Sequence, residues 1–547
     1  MTKVKIVSRE LSFPDLSRTE LYILISACVL LIPALLINLG LIPPFFHTDE
    51  SRRAVVAIEM IFSGDYLSPT INGNLYFNKP PVYNWIIALF FQLTDSFSPF
   101  VLRLPTIMGA ILLAFFVYRF TLENTAHKRS AWIAALATIT TGRIMFYDSF
   151  IGLIDLTYAA FTFLNFMLIF RYGIRQAWLK LFVISYSIMA FTFLMKGFTA
   201  IVFQAITLLV FMIDLRKFKV LFSWQHFVGL LSALFILGLY YYLYLNANNL
   251  QLQDILNILW NESAKRTPTA NGPLLVLKHI LLFPFEFIYT FFPWTLLSAF
   301  FLIKSIRNAI WKSDFYRFCL LVFFANLIVY WISPGTMPRY LFPILAMLII
   351  PLAGAYSQLS FPSDKIRKYF EFICFALLIL VAIASLIMPF IEPTSDIPYG
   401  IPVALIISSS LAVLLYFYKN QAPLRAALII LGLVIARIGF DWFILPTRAE
   451  KNELLNDDAL EVVNITRGQP LYLYRLHTSP EPNTYLHNSF TYVIEANRKE
   501  ILTLVRTNDN PEAYYLVGDW ELRNEEFTTY FKFVSEDVHT IYLVKFN

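Results

Sequence analysis

Charge is scarce in this 547-residue chain. Asp, Glu, Lys and Arg together make up only 15% of it, well below the roughly one quarter usual for a soluble globular domain. Cysteine is scarcer still. Cys28, Cys319 and Cys374 each sit inside an apolar block, read as small buried hydrophobes, and have no metal-type spacing. No internal repeat or low-complexity segment stands out. Residues 1–20 are polar, and the apolar run from Leu21 to Ile42 is too long for the core of a cleavable signal and lacks a small-residue cleavage site. It reads as an anchor with its N-terminus in the cytoplasm. The net charge of +6 does not indicate nucleic acid, because the basic residues collect in short loops between apolar runs, as membrane orientation requires.

Hydrophobic residues are abundant, at 58%, and aromatics reach 17%, with 53 Phe and 30 Tyr. The apolar residues fall in blocks near twenty long, the length that crosses a bilayer as a helix. Thirteen spans are expected, near 20–42, 100–121, 130–147, 152–171, 178–195, 197–213, 226–245, 277–303, 316–333, 338–358, 370–391, 400–418 and 424–444. Met195-Lys196-Gly197 breaks one long run and reads as a tight hairpin turn. With the N-terminus inside, the inner loops hold clusters such as Arg171, Arg175 and Lys180, or Arg216, Lys217 and Lys219. An odd number of spans then puts the tail outside. That tail, 446–547, is charged throughout and has strand-like runs at 471–474, 514–517 and 541–544. The fold class is thus an all-α polytopic membrane protein (residues 1–445) with a small C-terminal α/β domain (446–547) in the periplasm.

The first outer loop, 43–99, contains two amphipathic stretches, 50–62 and 80–92, that suit helices lying in the interface plane. A third short polar helix is expected around 251–264. The first stretch opens Thr48-Asp49-Glu50-Ser51-Arg52-Arg53. Thr48 suits an N-cap, and Asp49 and Glu50 then complement the helix dipole, a role that acidic first turns often have. Further along, Tyr76, Asn78 and Lys79 precede Pro80-Pro81, which suit the start of the second helix. A lysine beside free backbone N–H groups makes an anion site, and phosphate is the commonest such anion. The bland alternative is a lysine snorkelling to head groups, on the side of the membrane where positive charge is scarce.

More ionisable groups share that side. Asp148 reads as an ordinary loop aspartate. Asp155 begins a span, and an acid at membrane depth is a functional candidate. Arg266 follows Asn261-Glu262-Ser263-Ala264-Lys265. Arg339 and Tyr340 stand where a span begins, and each also suits an interfacial anchor. Gathered on one face, a carboxylate can take a proton from an acceptor while Lys and Arg stabilise a departing phosphate. Composition and spacing reach as far as a phosphate-handling enzyme acting on a lipid.

The run Asp49-Glu50, Glu59-Met60, Gly64-Asp65, Pro69, Asn72-Gly73, Lys79-Pro80-Pro81, Trp85 and Arg103-Leu104-Pro105 resembles the first loop of the aminoarabinose transferase and protein mannosyltransferase superfamily, membrane glycosyltransferases of the C-type fold. The likeness is dense over about residues 45–110 and looser beyond. It implies a catalytic acid at Asp49 and a supporting carboxylate at Asp155. It implies that Lys79 and Arg266 grip a polyprenyl phosphate, with Tyr76 and Tyr340 lining the site. Glu50, Arg52, Arg53, Asn78 and Arg339 are expected to line it too.

The chain also departs from that family. Members often have Tyr where this chain has Arg53. Some have Glu just before the phosphate lysine and His ahead of the later arginine, in places that here hold Asn78 and Asn261. Neutral amides replace metal ligands poorly, so no metal or other cofactor is expected. Arg53 adds charge and points to a different sugar or acceptor.

The expected function is transfer of a sugar from a polyprenyl-phosphate donor to lipid A or another envelope glycolipid, at the periplasmic face of the inner membrane, by a monomer. Two alternatives stand beside it. One is a protein O-glycosyltransferase. The other is a transporter or flippase of lipid-linked sugars, which would need polar residues deep in several spans; Glu286, Arg437 and Asp441 are the main mid-span charges.

Overall fold

The computed structural model describes residues 16–43, 47–76, 78–254, 272–357, 364–475, 488–519, 521–522, 526–534 and 540–546. Helices α1 (Arg18–Leu36), α2 (Thr48–Ser63), α3 (Val82–Thr94), α4 (Pro99–Thr125), α5 (Lys128–Ile139), α6 (Gly142–Phe146), α7 (Asp155–Ile174), α8 (Trp178–Lys196), α9 (Thr199–Asp214) and α10 (Trp224–Asn248) form the first half. The second half adds helices Pro273–Thr290, Asp314–Trp331, Phe342–Ser357, Asp364–Ile387, Gly400–Asn420 and Arg425–Ile465. Helices α2 and α3 cover the two amphipathic stretches expected in the first loop. The helix expected around 251–264, with Asn261 and Arg266, lies largely outside the described residues.

Among the described residues, ten helices are long and apolar enough to cross a membrane. Each of the thirteen expected spans has a helix, but α5, α7 and α9 fall outside the ten. Helices α5 and α9 have 12 and 16 residues. Helix α7 has 20 but carries Asp155, Asn165 and Arg171. It packs against α4, α8 and Phe342–Ser357, so it can hold polar groups that a lipid-facing helix could not. Gly109 on α4 lets α7 approach: a Cβ there would fall 2.6 Å from the Thr157 backbone, the close packing that small residues permit between membrane helices.

Two further segments meet at the first loop. Between α2 and α3, strands β1 (Thr70–Ile71) and β2 (Asn74–Leu75) make a two-residue hairpin. Its turn, Asn72-Gly73, has positive φ at both residues (52° and 73°), the geometry that favours Asn-Gly in hairpins. At the other end, Arg425–Ile465 runs unbroken past residue 446. It leads into a five-stranded sheet of β3 (Leu471–Tyr474), β4 (Leu504–Val505), β5 (Tyr514–Gly518), β6 (Phe527–Val534) and β7 (Thr540–Phe546), in the order β4-β3-β5-β7-β6. Strand β3 is parallel to β4 and β5, whereas β7 is antiparallel to β5 and β6.

The helix Asn488–Arg498 fastens this C-terminal unit onto the first loop. Ser489 bonds Ser51 on α2 (3.1 Å), and the Tyr492 hydroxyl donates to the Phe97 carbonyl. The hairpin joins as well: Asn72 Nδ2 donates to the Leu502 carbonyl (3.0 Å) and the Leu504 N–H to the Asn72 carbonyl (3.1 Å). Beneath these contacts Glu59 on α2 accepts from the Asn72 and Gly73 amides and shares a side-chain hydrogen bond with Glu495. Both carboxyls are fully buried. Burial raises the pKa of each, and the neighbouring Glu59 raises that of Glu495 further.

Candidate active site

A cleft opens between α2, the segment leading into α3, the start of α7, the end of α8 and the turn Pro338–Leu341. It is lined by Asp49, Arg52, Arg53, Tyr76, Asn78, Lys79, Leu153, Ile154, Asp155, Lys196, Arg339 and Tyr340. Nine site residues expected from the sequence thus meet in one place. They come from stretches of chain almost 300 residues apart.

Arg339 ties the two carboxylates together. Its Nη2 donates to Asp49 Oδ2 at 2.7 Å, and its Nε lies 3.6 Å from Asp155 Oδ2. Its Nη1 meets His47 Nε2 at 2.8 Å. Arg52 reaches Asp49 Oδ1 at 3.2 Å, one helical turn on, and Lys196 forms an ion pair with Asp155. Burial alone would raise the pKa of Asp49, but Arg339, Arg53, Arg52 and His47 overcome it and hold the carboxyl below its ordinary value. His47 shifts down, through burial first and Arg339 second, so its ring is neutral at pH 7. A neutral imidazole has one acceptor nitrogen. The 2.8 Å contact from Arg339 therefore competes with the 3.2 Å contact by which the Asp49 N–H reaches His47 Nδ1, and the shorter, charge-assisted bond has the advantage.

His47, not Thr48, caps α2; the helix begins one residue earlier than the sequence suggests. Glu50 is a second correction. It was expected to line the site, but its carboxylate is fully buried on the far side of α2. There it accepts from Arg103 Nε (2.6 Å) and Nη2 (3.1 Å) and from the Gly152 N–H (2.7 Å). Successive residues on a helix point about 100° apart, which lets Glu50 turn into Arg103 and Gly152 while Asp49 faces the cleft. Asp148, expected to be an ordinary loop residue, is buried against Arg143. Arg437 and Asp441 do pair, at 2.7 Å and fully buried, and Arg437 also bonds Ser149, bracing the segment that leads to Asp155. Arg266 lies outside the described residues.

In sequence, residues 78–242 match the family described as dolichyl-phosphate-mannose-protein mannosyltransferase. The undecaprenyl phosphate-alpha-4-amino-4-deoxy-L-arabinose arabinosyl transferase of Shewanella sediminis is 24% identical over 330 residues, which cover 59% of this chain and 58% of that protein. A second transferase of that name, from Pseudomonas fluorescens, is 25% identical over 351 residues, 59% of this chain and 56% of its own. The matched stretches therefore span less than two thirds of these relatives. The structure reaches further. The crystal structure of ArnT from Cupriavidus metallidurans bound to undecaprenyl phosphate superposes with a TM-score of 0.68 at 16% identity, over 96% of this chain and 98% of that one. The chain has an ArnT-like fold.

Within this ArnT-like fold, the sequence did not single out Lys196, which lines the cleft, or His47, which holds Arg339 beside it. Lys196 stood out there only as a break between spans, and a lysine in a tight turn looks the same whether it anchors a helix end or faces a site. His47 stands two residues before the first acid, but a lone histidine carries little signal.

Among the described residues no three His, Cys, Asp or Glu gather as a ligand set. Both cleft carboxylates already face cations, and Asn78 supplies only a neutral amide. Five cationic side chains around the space suit an anion, and these residues do not fit a divalent ion.

Proposed function

We propose that this protein is a membrane glycosyltransferase that takes a sugar from a polyprenyl-phosphate donor and passes it to an envelope acceptor, lipid A or another glycolipid. The observation that carries the reading is the convergence of Asp49 and Asp155 with Lys79, Arg339 and Tyr340 in one cleft, within a fold whose solved relative binds undecaprenyl phosphate. Lys79 holds the donor phosphate, joined by Arg266 and by the Tyr340 hydroxyl. Asp49 faces the acceptor; where the acceptor is a hydroxyl, the carboxylate takes its proton. The acceptor oxygen then forms a bond to the anomeric carbon as the bond from that carbon to the phosphate oxygen breaks. The lipid phosphate leaves with the electron pair, and nearby cations stabilise its growing charge. Asp155 supports the site by fixing Lys196 and Arg339.

In this reading the chain is an inner-membrane protein with thirteen crossings and a cytoplasmic N-terminus. The cleft and the C-terminal unit, 446–547, face the periplasm. The arrangement suits a donor whose lipid tail stays in the bilayer while its phosphate rises to the cleft at the membrane edge.

The test is release of polyprenyl phosphate coupled to sugar transfer. Asp49→Asn and Lys79→Ala should each nearly abolish it in protein that remains folded. Full activity in either variant removes the assignment, and lipid translocation without release points to a flippase instead. Mass spectrometry of lipid A and of envelope glycoproteins from a deletion strain identifies the acceptor and separates lipid from protein glycosylation.

A further inference from the structure

Arg53 lines the cleft and is only 5% exposed. Its Nη2 donates to the Tyr76 hydroxyl at 3.0 Å, and its guanidinium carbon lies 5.6 Å from the centre of that ring. Its Nη1 is buried and has no hydrogen-bond partner among the described residues. A buried guanidinium N–H without an acceptor is costly. Held at the wall of a polar cleft, it is a donor fixed in place for an anion.

The charge around it points the same way. Among the described residues the cleft is lined by five cations, Arg52, Arg53, Lys79, Lys196 and Arg339, and by two carboxylates. Asp49 is engaged by Arg339 and Arg52, and Asp155 by Lys196 and Arg339. The linking phosphate of a donor brings one negative charge, which leaves an excess of positive charge. An ammonium on the sugar would meet cations and no unengaged carboxylate of the described residues. A carboxylate on the sugar would give Arg53 the acceptor it lacks, in the planar geometry a guanidinium favours. Selectivity built this way combines an attraction to one ligand with a repulsion of the other.

We propose that Arg53 is a specificity residue for an acidic donor sugar, a carboxylate-bearing one of the uronic acid class, and that the cleft disfavours an amino sugar. This rests on the glycosyl-transfer reading.

The experiment uses the full-length protein in lipid nanodiscs and three synthetic donors on the same prenyl phosphate: hexuronyl, hexosyl and aminopentosyl. Prenyl phosphate alone is the fourth ligand. The expected order has the hexuronyl donor binding at least tenfold tighter than the hexosyl donor, and the aminopentosyl donor weakest. Arg53→Ala and Arg53→Gln should each shrink the hexuronyl-to-hexosyl ratio at least tenfold, whereas Arg53→Lys keeps part of it; melting curves of each variant report folding. Tightest binding of the aminopentosyl donor, equal binding of all three, or an equal loss for all three in the Arg53 variants overturns the proposal, and binding of prenyl phosphate then leaves the transfer reading intact. A wild-type protein that binds neither the donors nor prenyl phosphate overturns both.

Discussion

Glu50 and Arg103 form a two-pronged ion pair, with N–O distances of 2.6 and 3.1 Å, and neither side chain is more than 1% exposed. The same Glu50 oxygen that meets Arg103 Nε also accepts from the Gly152 N–H at 2.7 Å. Glu50 is next to Asp49 in sequence, and Gly152 lies three residues before Asp155. One buried carboxylate therefore fixes the spacing of the two acids in the cleft. Removing one partner of a buried pair leaves an uncompensated charge, at a cost of about 3–5 kcal/mol. Glu50→Ala and Arg103→Ala should each lower the melting temperature in detergent strongly and abolish transfer. The double variant should be less destabilised than the sum of the singles. Wild-type melting in either single variant would remove this role.

Arg339 touches both acids, and its effect should depend on shape as well as charge. A lysine supplies one compact ammonium that cannot reach His47, Asp49 and Asp155 together. Arg339→Lys is expected to fold normally and to lose activity on the order of a hundredfold, as when one positioned donor is removed from an active site. Steady-state rates of lipid-phosphate release measure this, and a loss below threefold would count against it.

Lys196 and Asp155 form an ion pair whose side chains are 8% and 5% exposed. Substituting either should reduce transfer, and the two substitutions should not add. A double-mutant cycle with Lys196→Met and Asp155→Asn should give a coupling of roughly 0.5–3 kcal/mol in transition-state free energy. Strict additivity would mean that the two residues act separately.

The buried Glu59 and Glu495 pair makes the hold on the first loop sensitive to pH. Burial raises both pKa values, so the docked state binds a proton that the undocked state gives up. The stability from this proton is fully present below the ordinary carboxyl pKa and is lost as pH rises through the raised value. Hydrogen exchange at the Asn72 and Gly73 amides should accordingly quicken with pH beyond the chemical trend, and Glu495→Gln should flatten that excess. Unchanged pH dependence in Glu495→Gln would rule out the pair as its source.

The sequence made much of this visible because membrane helices announce themselves by length and hydropathy, and the cleft residues cluster at helix starts. Asp49, Lys79, Asp155 and Arg339 all stand at or just before such starts, where side chains and backbone N–H groups turn toward an anion. The rest was hidden for definite reasons. Adjacent acids look alike in sequence, and only the rotation of α2 separates Asp49 from Glu50. Helix α7 falls short of the hydropathy of a lipid-facing span because protein surrounds it. The contact of the C-terminal unit with the first loop depends on Asn72 meeting Leu502, a pairing that no local pattern encodes.

That pairing also sets an order of events during synthesis. Asn72 and Leu502 are 430 residues apart. At ribosomal speeds of roughly 5–20 residues per second, the first loop waits roughly 20–90 seconds for the segment that clasps it. The loop's own helices can form early, but Glu59 and the Asn72-Gly73 turn lack their final neighbours until Glu495 and Leu502 have been made. A chain that stops short of Ser489 would carry most of the cleft residues without the clasp, so such a truncation should leave the first loop open to proteolysis.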